Sequence, residues 1–166
     1  MTTPVSVVCA DERSAGVDDQ AVRIDTERWE ALARAVLRAE GARGELTVTF
    51  VDAADIAELN TEHMGKDGPT DVLSFPLDDG EPVPGVPALL GDVVICPEVA
   101  SAQYADHAGT FDDEIALLVV HGILHVLGHD HAETDEAEIM RARELELLTA
   151  LHWHGAAPAG FRQTHD

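Results

Sequence analysis

Hydrophobic and polar positions along this chain repeat with two different periods, and the periods place its elements. From Leu46 to Val51, Leu46, Val48 and Phe50 alternate with Thr47 and Thr49. That period of two predicts a half-exposed strand. Earlier, Trp29, Leu32, Ala33, Val36 and Leu37 fall at i, i+3, i+4, i+7 and i+8, the stripe of an amphipathic helix. Asp25 caps that helix, and Gly41 and Gly44 end it. The valine-rich run Pro4–Ala10 reads as a strand. Asp52 or Asp55 starts a short helix through Ile56 and Leu59. Gly65–Pro69 breaks the chain before a short strand at Val72–Phe75. Pro76–Pro87 holds four of the eight prolines and reads as a surface loop. Leu89–Cys96 predicts a central strand, and Pro97 opens a helix at its first turn. Phe111–Leu127 is apolar almost all round, which predicts a buried central helix ended by Gly128. A last helix starts at Asp135 and carries Met140, Leu147, Leu148 and Leu151. Mixed strands and helices with one late buried helix predict an α+β fold. Residues 1–154 form a single domain, and residues 155–166 form a loose tail.

Composition narrows the function classes. The chain has 166 residues, 45% of them hydrophobic, which fits one domain with a real core. Asp and Glu number 32 against 10 Lys and Arg, a formal charge of −22, and protonating all 9 histidines still leaves −13. Such a surface repels phosphate, so a sequence-blind nucleic-acid coat protein is excluded. A local site with its own cation is not. Two distant cysteines, Cys9 and Cys96, read as apolar residues in a reducing compartment. The N-terminus shows no signal peptide. The stretch Ile115–Leu127 is too short for a bilayer, which takes about 20 apolar residues. The expectation is a soluble cytoplasmic protein without a membrane partner.

The chemistry concentrates in one segment, HGILHVLGHDH, residues 121–131. On a helix, His121 and His125 differ by a rotation of about 40°, so both rings leave one face a turn apart. Two imidazoles so placed can share one zinc. Gly128 offers a left-handed turn that lets His131 swing back as third ligand. His129 is a poor candidate on a continued helix. Three histidines leave a fourth position open, and an open site lowers the pKa of bound water towards about 7. Zinc peptidases of this spacing carry glutamate directly after the first histidine. Here that residue is Gly122, which cannot move a proton. Asp130 either orients a histidine or closes an Asx turn. Glu114, about 10 Å before His121 along the helix, is too far to be a ligand. It is an outer supporting group or part of an acidic first turn. His63, His107, His152, His154 and His165 have no such partners and read as surface residues.

These residues resemble a known family. HGILHVLGHDH is similar to the H-G-x-L-H-L-x-G-x-D-H signature of the YbeY family. Leu59-Asn60 followed by Lys66–Pro76 (KDGPTDVLSFP) resembles its LN…DxPTDVLSFP segment, and Gly91–Ile95 (GDVVI) its GDIVI strand. The likeness runs from about Leu46 to Leu151, in order. It implies a zincin-like α+β fold with a mixed sheet of about four strands. It also implies one Zn2+ per chain on His121, His125 and His131, and metal-dependent endonuclease hydrolysis of single-stranded RNA. The expected role is 16S rRNA 3′-end maturation and ribosome quality control, with the small ribosomal subunit or assembly proteins as partners and no DNA. The chain departs from the family pattern twice: His129 stands where an aromatic residue is common, and Met64 where many members carry an arginine. Lys66 is a nearby cation, though not an equivalent one. Arg34 and Arg38, four apart on the first predicted helix, form a second possible RNA contact or pair with neighbours such as Glu30. Two other readings of the histidines stand beside this one: a zincin-type peptidase, and a non-catalytic ribosome-assembly factor with a structural zinc.

Overall fold

The computed structural model describes residues 5–14, 23–77, 84–86, 88–129 and 133–163. Its elements are β1 (Val5–Asp11), α1 (Thr26–Ala39), β2 (Gly44–Phe50), α2 (Ala53–Met64), β3 (Val72–Pro76), β4 (Leu89–Ile95), α3 (Pro97–Gln103), α4 (Phe111–Val126) and α5 (Thr134–Leu148). A π-helical turn over Thr149–Trp153 follows α5. The order is that of an α+β fold. The sheet has four strands in the order β1-β2-β4-β3. β1, β2 and β4 run parallel, and β3 closes the edge antiparallel to β4. The expected mixed sheet and central β4 are therefore present.

Local sequence explains most of this. Asp25 caps α1 by accepting from the Arg28 amide, and Trp29, Leu32, Ala33, Val36 and Leu37 are all buried, as their spacing requires. Leu46, Val48 and Phe50 of β2 are fully buried, while Thr47 and Thr49 between them are half-buried. The α1 stripe, the inward residues of β2 and β4, α4, and Met140, Leu147 and Leu148 of α5 form one continuous core. Val51, Ile56, Leu73, Val94 and Cys96 form a smaller cluster under α2 on the other face of the sheet. That face keeps an open cleft of about 460 Å³, with Leu59 and His63 of α2 above Thr49, Phe75 and Asp92. Among the described residues, no helix is long and apolar enough to cross a membrane. Cys9 and Cys96 are free thiols. Burial, helped by Glu30 and Asp11, pushes the Cys9 thiol up to about 11.

Three expectations change. The last helix starts at Thr134 with Glu133 as its N-cap, a residue earlier than Asp135. The tail is docked through residue 163. Phe161 sets its ring edge against Trp153 at 4.7 Å, and the Arg162 amide donates to the His107 carbonyl at 3.0 Å. The surface reading also fails for two of the five histidines outside the motif. The His152 side chain is only 6% exposed and lies 2.7 Å from the Asp113 carboxylate, while half-buried His107 approaches Glu114. His63 and His154 are exposed as expected. His165 lies outside the described residues.

Candidate metal centre

Helix α4 delivers both leading histidines from one face, His121 buried and His125 half-buried. Gly122 sets how closely α4 lies on the sheet. A Cβ built there would stand 2.5 Å from Val93 Cγ1 and 3.3 Å from Ser74 Oγ. Ser74 uses that proximity to donate to the Gly122 carbonyl at 3.0 Å. The residue between the histidines is thus fixed by packing against β3 and β4. A glutamate side chain has no room there.

The helix ends in a Schellman turn. The Gly128 amide donates to the His125 carbonyl at 3.0 Å and the His129 amide to the Leu124 carbonyl at 2.9 Å. Gly128 takes φ 105°, open to glycine and strained for other residues. This turn brings the His129 carbonyl back over the helix, where His125 Nδ1 donates to it at 2.9 Å. His129 thus contributes its backbone. His121 Nδ1 lies 2.9 Å from Glu144 Oε2, across from α5. With each Nδ1 turned to an oxygen, the two Nε2 atoms face each other 3.1 Å apart.

The geometry fits a shared metal. Two bonds of about 2.0–2.1 Å at a tetrahedral angle hold their nitrogens about 3.3–3.4 Å apart, close to the 3.1 Å seen. Two neutral rings with Nδ1–H would point lone pairs at each other, an arrangement that a metal ion or a shared proton between them satisfies. Among the described residues, no group of three or more His, Cys, Asp or Glu side chains is placed to hold a metal. His131 and Asp130, expected as third ligand and orienting group, lie outside the described residues. An open cleft of about 560 Å³ lies at the turn that ends α4, lined by Leu127, Gly128, His129, Glu136 and Ile139.

The remaining expected site residues stand elsewhere. Glu114 is buried and gives its carboxylate to the Gln103 side chain at 2.9 Å and the Ala108 amide at 3.3 Å, as a group of the acidic first turn. Arg34 is engaged with Glu30 at 2.7 Å. Arg38 is exposed in the last turn of α1, and Lys66 is exposed just past α2. Buried Asn60 donates to the Gly68 carbonyl at 3.0 Å, so the LN asparagine ties down the loop that carries Lys66. Glu144 escaped the sequence reading. The signal was present: it sits in the apolar stripe of the last helix, with Met140, Leu147 and Leu148, where a carboxylate needs a buried partner.

An α+β domain that carries two converging histidines on a buried, sheet-packed helix defines the class of protein. The comparisons then place it. The family model described as Endoribonuclease YbeY matches residues 15–152, and the chain belongs to that family. It is 45% identical over 157 residues to Endoribonuclease YbeY of Salinispora tropica, covering 88% of this chain and 96% of the relative. It is 49% identical over 138 residues to the Thermobifida fusca protein of the same name, covering 79% and 88%. The solution structure of TM1509 from Thermotoga maritima superposes with a TM-score of 0.54 at 26% identity, covering 89% of this chain and 91% of that one.

Proposed function

We propose that this protein is a zinc-dependent, single-strand-specific endoribonuclease that matures the 3′ end of 16S rRNA and serves ribosome quality control. The observation that carries the reading is the convergence of His121 and His125 Nε2 at 3.1 Å in a chain of the endoribonuclease YbeY family. His121, His125 and His131 would hold one Zn2+. When bound, such an ion supplies Lewis acidity towards a phosphodiester and a nucleophile at neutral pH. The chain's own contribution is to aim the rings. Glu144 and the His129 carbonyl fix their Nδ1 sides, and the apolar body of α4 keeps water off the back of the site. Asp130, between the last two histidines, would orient one of them. Lys66 and Arg38 would meet RNA phosphates, with Arg34 joining only by leaving Glu30.

The peptidase alternative is disfavoured because Gly122, packed on Val93, stands where such enzymes carry their general base, so another carboxylate would have to replace it. The formal charge of −22 fits an enzyme that holds arbitrary RNA weakly and acts in the cytoplasm where the small ribosomal subunit or its assembly proteins present the substrate.

The test is metal-dependent cleavage of an RNA bearing the 16S 3′ end, comparing the wild type with His121→Ala after both are shown to be folded. Cleavage that stops on chelation and in the variant, with casein untouched, is the expected result. Casein hydrolysis without RNA cleavage would overturn the reading.

A further inference from the structure

A neutral imidazole carries its proton on one nitrogen, and only the Nδ1–H form of His121 leaves Nε2 free to act as a ligand. For His125 that choice is made locally, because the carbonyl of His129 can only accept. For His121 it is made by a residue 23 positions away. Glu144 Oε2 lies 2.9 Å from His121 Nδ1, and Glu144 is 3% exposed. A carboxylate on the buried face of α5 is costly, and such a buried pair is weak as a stabiliser of the fold. Its second oxygen is covered too. The Gln163 side-chain nitrogen lies 3.4 Å from Glu144 Oε1 and donates to the Arg141 carbonyl at 2.9 Å.

We propose that Glu144 is a positioning residue of the metal centre: it holds His121 in the Nδ1–H form with Nε2 aimed at His125, and Gln163 of the C-terminal segment steadies Glu144 in turn. The inference rests on the metal-centre reading above. It makes the C-terminal segment part of the site's support, since Gln163 reaches the carboxylate. Partners of this kind typically change metal affinity by about 10–100-fold.

The test uses the full chain as wild type, Glu144→Gln, Glu144→Leu and Gln163→Ala. Zinc affinity is measured by competition with a chromophoric chelator. The protonated nitrogen of His121 is read from imidazole 15N shifts, and thermal unfolding of the metal-free proteins is followed in parallel. Expected are one zinc per wild-type chain, a loss of about 10-fold in Glu144→Gln and nearer 100-fold in Glu144→Leu, and a smaller loss in Gln163→Ala. His121 of Glu144→Leu should show mixed tautomers, a signal that a merely structural glutamate would not move. The near-isosteric Glu144→Gln carries the measurement if Glu144→Leu does not fold. Wild-type affinity in both folded Glu144 variants, beside a zinc-binding wild type, would overturn the positioning role alone. Undiminished affinity in Gln163→Ala would remove the tail from it. A wild type that binds no zinc would overturn the metal reading itself.

Discussion

The two ends of α4 both bury polar side chains, and they treat them in opposite ways. At the N-terminal end, Asp113 takes both the His152 ring and the Trp153 indole N–H on one oxygen, at 2.7 and 2.8 Å. Glu114 takes Gln103 and the Ala108 amide. Their carboxylates end on protein donors, so this end is a clasp for the turn at 104–108 and for the π-helical turn after α5. At the C-terminal end, among the described residues, the Nδ1 side of each histidine meets an oxygen and the two Nε2 atoms are turned on each other. Each cluster combines buried and half-buried side chains, so burial alone does not distinguish structure from chemistry. Like-sided ring nitrogens brought face to face do.

That contrast can be broken in order of effect. His125→Ala should lower zinc affinity by more than the roughly 100-fold upper range seen for supporting partners while leaving the fold intact, measured by metal content and circular dichroism. Retained stoichiometric zinc would remove the C-terminal end as a metal centre. Glu114→Ala should do the reverse. It should cost about 1–3 kcal/mol of stability by denaturant unfolding, because it strands the buried Ala108 amide, and folded molecules should keep wild-type zinc affinity. Gly122→Ala tests the platform beneath the histidines. Forcing a Cβ against Val93 should cost about 1–3 kcal/mol, and an unchanged midpoint would mean that α4 can lift off the sheet freely. The smallest effect belongs to the surface of the N-terminal end. Arg28 and Asp112 pair at 2.9 Å but are 44% and 59% exposed, so Arg28→Ala should change stability by less than about 1 kcal/mol, most of it through lost contact with the Trp29 ring.

Much of the fold was legible because it is written in short-range periods. The α1 stripe, the β2 alternation and the all-round apolar α4 each need only neighbours within a few residues to declare themselves. The histidine pair is legible for the same reason, since an i, i+4 spacing fixes a shared helix face wherever the helix goes. Contacts between distant segments left weaker traces. His152 reads as a surface histidine because the residue that buries it, Asp113, is 39 positions earlier. The tail reads as loose because Phe161 and Gln163 find their partners on Trp153, Arg141 and Glu144. Glu144 was announced only as a carboxylate out of place in an apolar stripe.

The sequence by itself therefore determined the elements, the α+β class and which two rings share a face, all consequences of local backbone geometry and side-chain period. Only the tertiary structure decided which nitrogen of each ring looks inward, and why Gly122 stands between them. The first depends on an oxygen delivered by α5 and on a carbonyl turned back by the Schellman turn. The second depends on how closely α4 lies on Val93 and Ser74. Both are matters of packing between separate elements, which no local period records.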